Sequence, residues 1–285
     1  MISPALERTP GGTRNLTTRL VWAGMVVFVV ALAIWGFQRD LFNYGTETDY
    51  VGSFVGEAQR ILAGEPLDVS FHPPLFSAAI ALTYSVVEDW LVAGLLVSIL
   101  SCLAALGLTF ALFRKLLGVG AAVGGVLALA LSPVYIHFAV QATTEMFSLA
   151  LYLAAFLAVI VSAERRSIGS CVLAGALIGF ALITRTNNIA LLALFLFYLI
   201  PMPAGSLAPP LPAKARSVLL VSAGIAIPLV AWSAYAIGTG SPLMPSKNHE
   251  NLALTYFAEG DRITGDPRLV LAERFTSTGQ VLAED

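Results

Sequence analysis

The stretch PPLFSAAIALTYSVVED, residues 73–89, decides how this chain is threaded through a membrane. Around it lie long apolar runs at 20–37, 90–113, 116–136, 145–161, 168–184, 189–200 and 217–237, separated by short charged joints. That makes about seven spans in an all-α polytopic protein, each near the ~20 apolar residues a bilayer core demands except the short run 189–200. The chain of 285 residues is 57% hydrophobic and only 12% charged, with a mean hydropathy of +0.81. A soluble domain carries about 25% charged residues, so half the usual charge is missing and a soluble globular class is excluded.

If residues 74–87 crossed the bilayer, every later loop would change sides. The stretch is too short to cross comfortably, opens on two prolines and ends at Glu88-Asp89, so it reads as an interfacial helix. The basic joints Arg114-Lys115, Arg165-Arg166 and Lys214/Arg216 then share a side with Arg8, Arg14 and Arg19. With Glu7 and Glu164 as the acids there, that side carries +7, and the remainder of the chain carries −9. Positive charge marks the cytoplasmic side. The first outer loop (38–89), the Ala142–Glu145 joint, Arg185 and the tail 238–285 therefore share the non-cytoplasmic face. The first span lies too deep in the chain, and is too long, for a signal-peptide core, so it reads as retained. Cys102 and Cys171 sit inside predicted spans, where a structural disulfide is not expected.

The domain reading is a disordered cytoplasmic lead (1–19), a membrane module (20–237) and an outer loop or tail (238–285). Val51, Phe54, Val55, Ala58, Ile61 and Leu62 recur at helical spacing, with Ser53, Glu57 and Arg60 opposite. This predicts an amphipathic helix lying at the interface, stopped by Gly64 and Pro66. Residues 201–212 form a proline-rich connector. In the tail, Lys247, Asn248, His249 and Glu250 make a polar cluster, and 268–275 predicts a short helix.

The acids of the first outer loop carry a further pattern. Glu47-Thr48-Asp49 is followed by Phe54, Ala58, Arg60, Gly64, Pro66 and then His72-Pro73-Pro74-Leu75. This order resembles the first outer loop of the GT-C glycosyltransferases, and within them the protein-mannosyltransferase and aminoarabinose-transferase branch. Phe54 departs from it, standing where a Tyr is expected. The run Gly179 to Arg185, ending in Thr184-Arg185, resembles a second element of that family. The resemblance covers about residues 20–240. It implies a seven-helix module with two juxtamembrane helices in the first outer loop, residing in the cell (plasma) membrane. It also implies transfer of a sugar from a polyprenyl-phosphate donor to a hydroxyl of a glycan, lipid or protein acceptor, with inversion at the anomeric carbon. Family members continue past this module, so the resemblance implies that the chain is a piece of a longer enzyme or a truncated reading frame.

Each candidate residue has a chemical reading and a structural one. Asp49 can take the acceptor proton as general base; it can equally cap the helix that follows. Glu47 is a second catalytic carboxylate or an exposed loop acid. Glu145, at the start of a span, can orient the acceptor or support a metal, or can simply favour the helix dipole. Arg185 can hold phosphate bidentately or snorkel to the interface. Arg60 is a second phosphate candidate. His72 is placed for a helix-anchoring hydrogen bond or a substrate contact. Glu47-x-Asp49 resembles the Asp-x-Asp pair that holds a divalent ion in some GT-C members; two carboxylates alone do not make a metal site, and a metal is left open. There is no phosphate loop, dinucleotide fingerprint or nucleic-acid surface. A transporter or flippase for lipid-linked saccharides is the alternative; it calls for ionisable groups deep in spans or helices broken at the midplane. A truncated, non-catalytic relative is a third.

Overall fold

The fold is described from a computed structural model, which describes residues 11–38, 49–67, 69, 72–195 and 211–243. The elements are α1 (Gly11–Gln38), a π-turn (Tyr50–Phe54), α2 (Val55–Ala63), α3 (Leu75–Val87), α4 (Trp90–Leu116), α5 (Val119–Ala130), α6 (Pro133–Ala139), α7 (Thr144–Arg165), α8 (Ile168–Leu182), a 3₁₀ helix (Thr186–Phe195) and α9 (Leu211–Thr239). Among the described residues there is no strand, and the protein is a polytopic all-α membrane protein. Glu47, the connector residues 201–210 and the tail from residue 244, with its Lys247–Glu250 cluster and the 268–275 segment, lie outside the described residues.

Four helical stretches are long and apolar enough to cross a bilayer: Leu16–Gln38, Trp90–Leu116, Thr144–Arg165 and Ala215–Thr239. The expected span 116–136 is broken. Ser132 opens a new helix there, its hydroxyl accepting from the Tyr135 N–H at 3.4 Å, and Pro133 occupies the first helical position. The resulting α5–α6 pair bends by 67°, and counted as one it makes a fifth span. At 15 residues, α8 reaches roughly 22 Å, short of a ~30 Å core. The expected span 189–200 is a 3₁₀ helix as far as Phe195. Asn188 gives the reason: its amide donates to the Ala181 carbonyl at 2.8 Å and to Ser148 Oγ at 3.0 Å, tying the chain into a tight turn. The helix α1 begins at Gly11, inside the stretch expected as a disordered lead.

A chain of packed neighbours runs α9–α8–α7–α4, and α4 also carries α1, α3 and α5. One core joins α1, α4, α5 and α6 through Met25, Val29, Leu106, Phe110 and Val126; a second joins α7, α8 and α9 through Val159, Ala174, Ile178 and Val221. Glycines set the second joint. A Cβ on Gly175 would lie 2.9 Å from Gly224 Cα, and one on Gly179 would lie 2.7 Å from the Ile225 carbonyl oxygen. Small residues one turn apart let two helix backbones touch, which is how membrane helices associate without a hydrophobic driving force.

The bundle has two poles. The Thr143 N–H donates to Ser98 Oγ at 3.3 Å near the starts of α7 and α4, while Lys115 Nζ donates to Glu164 Oε2 at 2.5 Å at their ends. The two helices therefore run parallel, and the poles are roughly 25 Å apart, at 1.5 Å of rise per residue. Opposite the Lys115–Glu164 pair sit the π-turn, α2 and α3. The far end of α9 joins them: Tyr235 Oη donates to the Glu65 carbonyl at 3.0 Å and the Leu67 N–H donates to Ser241 Oγ at 2.8 Å.

The α8–α9 contact is testable. Gly175→Ala forces backbone apart and should cost about 1–3 kcal/mol or more. Gly124→Ala, where a Cβ meets open space, should cost less than about 1 kcal/mol. Melting temperatures in detergent read both; equal losses would contradict the close crossing.

Candidate active site

The segment 49–67 folds because its aromatic residues find places against α4 and α3. Tyr50 is fully buried, its hydroxyl donating to the Trp90 carbonyl, and its ring fills the space left by the missing side chain of Gly94. Phe54 stacks edge-on against Phe76 with centroids 5.1 Å apart, and lies 4.6 Å from the His72 ring. Burial pushes the Tyr50 phenol above its ordinary range. The carbonyl-terminal stop of α2 is the expected one: Gly64 adopts φ 68°, and the Glu65 N–H closes on the Arg60 carbonyl at 2.9 Å.

The expected faces of α2 need correction. Val51 and Leu62 are exposed, whereas Glu57, expected on the polar side, is only 4% exposed. Its carboxylate accepts from Ser77 Oγ of α3 at 2.7 Å and from Ser53 Oγ at 3.4 Å. A buried charge needs such partners, and they turn the acid into a bolt between α2 and α3. Sequence periodicity placed Glu57 outward because it is charged. Its position three residues after Phe54 and beside Ala58, on the face that packs, was the available signal.

Next comes the seam that joins distant segments. Pro73 and Pro74 carry no N–H, so Leu75 offers the first backbone donor of α3, and it bonds the Ile183 carbonyl at 3.0 Å. Ile183 is the residue that ends α8. His72 is thereby set beside Arg185.

Two polar pairs meet there. His72 Nε2 lies 3.3 Å from Asp49 Oδ2, and Arg185 Nη1 donates to Glu145 Oε1. Burial pushes the His72 imidazole below its usual value; Asp49 pulls it up, the Arg185 charge pushes it down again, and Glu145 pulls up more weakly. One imidazole thus feels all three charged side chains. The net direction leaves it neutral at pH 7, so the Asp49 contact is an N–H donated to a carboxylate rather than an ion pair. Asp49 itself precedes the π-turn in a right-handed helical conformation and makes no capping bond, so the capping role weighed for it is not the one its side chain performs. Arg60 is placed otherwise: its guanidinium is exposed, with Nη1 3.5 Å from the Pro66 carbonyl of its own stop turn.

The elements hold these groups firmly. Arg185 is followed by Asn188, whose N–H returns to the Arg185 carbonyl at 3.1 Å, and Asn188 is anchored by Ser148 of α7. Glu145 stands in the first turn of α7, where the helix dipole favours a carboxylate. Sequence reading did not find Ser148, Asn188 or Ser77 as supports, since the partner of each lies 20 or 40 residues away in the chain. Among the described residues no group of three His, Cys, Asp or Glu could hold a metal ion. An apolar cavity of about 260 Å³ lies between α1, α4 and α5, lined by Met25, Phe28, Leu106, Val126 and Leu131 among others; no candidate site residue lines it.

Chemically, the cluster offers a carboxylate with a neutral imidazole donor beside it, and a guanidinium for an anion, at one end of a membrane bundle. A family model described as dolichyl-phosphate-mannose-protein mannosyltransferase matches residues 71–232, more than half of the chain. The chain belongs to that family. The mannosyltransferase family is one of GT-C-type membrane glycosyltransferases that take polyprenyl-phosphate sugars. The match takes in His72, Glu145 and Arg185 and begins after Asp49 and Arg60. No curated protein and no solved structure matches the chain.

The His72 environment predicts a pH effect. A histidine whose folded-state pKa is lowered refuses a proton that the unfolded chain accepts. Its stabilising contribution is therefore complete above about pH 6.5, the unfolded value, and declines as pH falls below it. Melting temperature measured from pH 8 to pH 5.5 should fall more steeply in the wild type than in His72→Gln. Parallel curves would contradict the half-buried neutral imidazole.

Proposed function

We propose that this protein transfers a sugar, with mannose the first candidate, from a polyprenyl phosphate to an acceptor hydroxyl on the non-cytoplasmic face of the cell membrane. The observation that carries the reading is the meeting of the Asp49–His72 and Glu145–Arg185 pairs around one imidazole, within a glycosyltransferase family. Asp49 is the general base, and His72 fixes its carboxylate by donating Nε2–H. Arg185 holds the lipid phosphate. The acceptor oxygen attacks the anomeric carbon as its proton passes to Asp49; the bond from that carbon to the phosphate oxygen breaks, and the lipid phosphate leaves with the electron pair. A single in-line displacement inverts the anomeric centre. Arg60, exposed near the end of α2, is a second candidate for the phosphate. The charge balance of the loops supports the non-cytoplasmic face.

The transporter alternative gains a broken helix at α5–α6, but the break at Leu131-Ser132 carries no charged residue.

Asp49→Asn separates base from scaffold. The side chain makes no capping bond, and Asn can still accept from His72, so melting temperature should hold. Transfer from dolichyl phosphate mannose should fall by about 10²- to 10⁴-fold, the usual worth of a positioned base. Binding of the donor should survive. Wild-type turnover in the Asn variant would remove Asp49 from the mechanism.

A further inference from the structure

The group assigned to the lipid phosphate already has an anion of its own. Arg185 Nη1 donates to Glu145 Oε1, and the two side chains, 36% and 19% exposed, are half sheltered rather than sealed. A guanidinium has five N–H donors, and Glu145 takes one of them in the geometry described. A phosphate can dock on the remaining donors, but only with the Glu145 carboxylate at its side. In a sheltered site that neighbour matters, because like charges a few ångströms apart repel in proportion to both charges.

The reaction changes the charge that Arg185 must hold. The entering donor is a phosphodiester with one negative charge. The departing lipid phosphate is a monoester with roughly 1.5 to 2 negative charges near pH 7. An unopposed arginine in such a sheltered site would hold the product more tightly than the donor, and product would leave slowly. Release of product is a common limit on turnover.

We propose that Glu145 is an internal counter-anion at Arg185, which weakens the hold on the dianionic lipid phosphate more than on the monoanionic donor and so sets product release. This rests on the assignment of the phosphate to Arg185. It makes Glu145 a specificity residue for the phosphate rather than an acid or base in the transfer. The position suits the task. Glu145 sits in the first turn of α7, where the helix dipole favours negative charge. Its Oε2 is 3.5 Å from Thr144 Oγ1, a contact too long to divert it from Arg185.

The test uses the purified full-length protein with dolichyl phosphate mannose as donor and dolichyl phosphate as product inhibitor. In Glu145→Gln the inhibition constant for dolichyl phosphate should fall about 10-fold or more, a typical consequence of removing a charged competitor from a charge-assisted bond. The KM for the donor should fall by a smaller factor. Glu145→Asp, with the carboxylate drawn back by one methylene, should lie between. Equal tightening of donor and product, or no tightening of product, overturns the inference. So does a single-turnover rate that drops by 10²-fold, the mark of a lost acid or base. Arg185→Gln keeps the two readings apart. If it weakens dolichyl phosphate while Glu145→Gln tightens nothing, only the counter-anion role fails. If it leaves dolichyl phosphate binding unchanged, the phosphate assignment and the inference fall together.

Discussion

The hydrogen bond from the Leu75 N–H to the Ile183 carbonyl is the joint on which the candidate site depends. Each partner is a group that helix geometry leaves unsatisfied: a donor in the first turn of α3 and an acceptor past the last turn of α8. In a membrane protein such orphans are expensive because water is scarce, so they are satisfied by one another. Two prolines ahead of Leu75 remove competing donors and hold the approach extended. The consequence is that His72, three residues before this bond, and Arg185, two residues after it, arrive at the same place.

Other polar contacts at this pole follow the same economy. Glu57 is bolted to Ser77, Asn188 to Ser148, and Leu67 to Ser241 at the end of α9. Each joins two segments that are distant in the chain. Between the poles, contact is carried instead by apolar cores and by the glycine crossing of α8 and α9. One polar bond lies deeper, from Tyr135 Oη to the Cys102 carbonyl at 2.7 Å, so the middle is mainly apolar and most polar connections lie toward the ends. That distribution lets a carboxylate, an imidazole and a guanidinium sit near lipid without being dissolved in it.

Much of this was legible in the chain. Runs near 20 apolar residues announced α1, α4, α7 and α9, and the charged joints marked their ends to within a few residues. The short helix α3 and the stop at Gly64 were readable from proline, glycine and length. The break before Pro133 was not, because hydropathy is blind to it; the signal was the Ser-Pro pair, a cap followed by a favoured first residue. Asp49, His72, Glu145 and Arg185 could be named singly from motif resemblance. Their pairing could not, since Glu145 and Arg185 are 40 residues apart and meet only through the packing of α7 and α8. The burial of Glu57 was hidden for a different reason: charge is normally a guide to exposure, and here a serine from another helix reverses it.

The most direct measurement of the central claim is an experimental structure of the full-length protein with dolichyl phosphate mannose bound. The account predicts the phosphate within hydrogen-bonding distance of the Arg185 guanidinium, with the anomeric carbon turned toward the Asp49 carboxylate. A donor phosphate lodged at the opposite pole, beside Lys115 and Glu164, would contradict it.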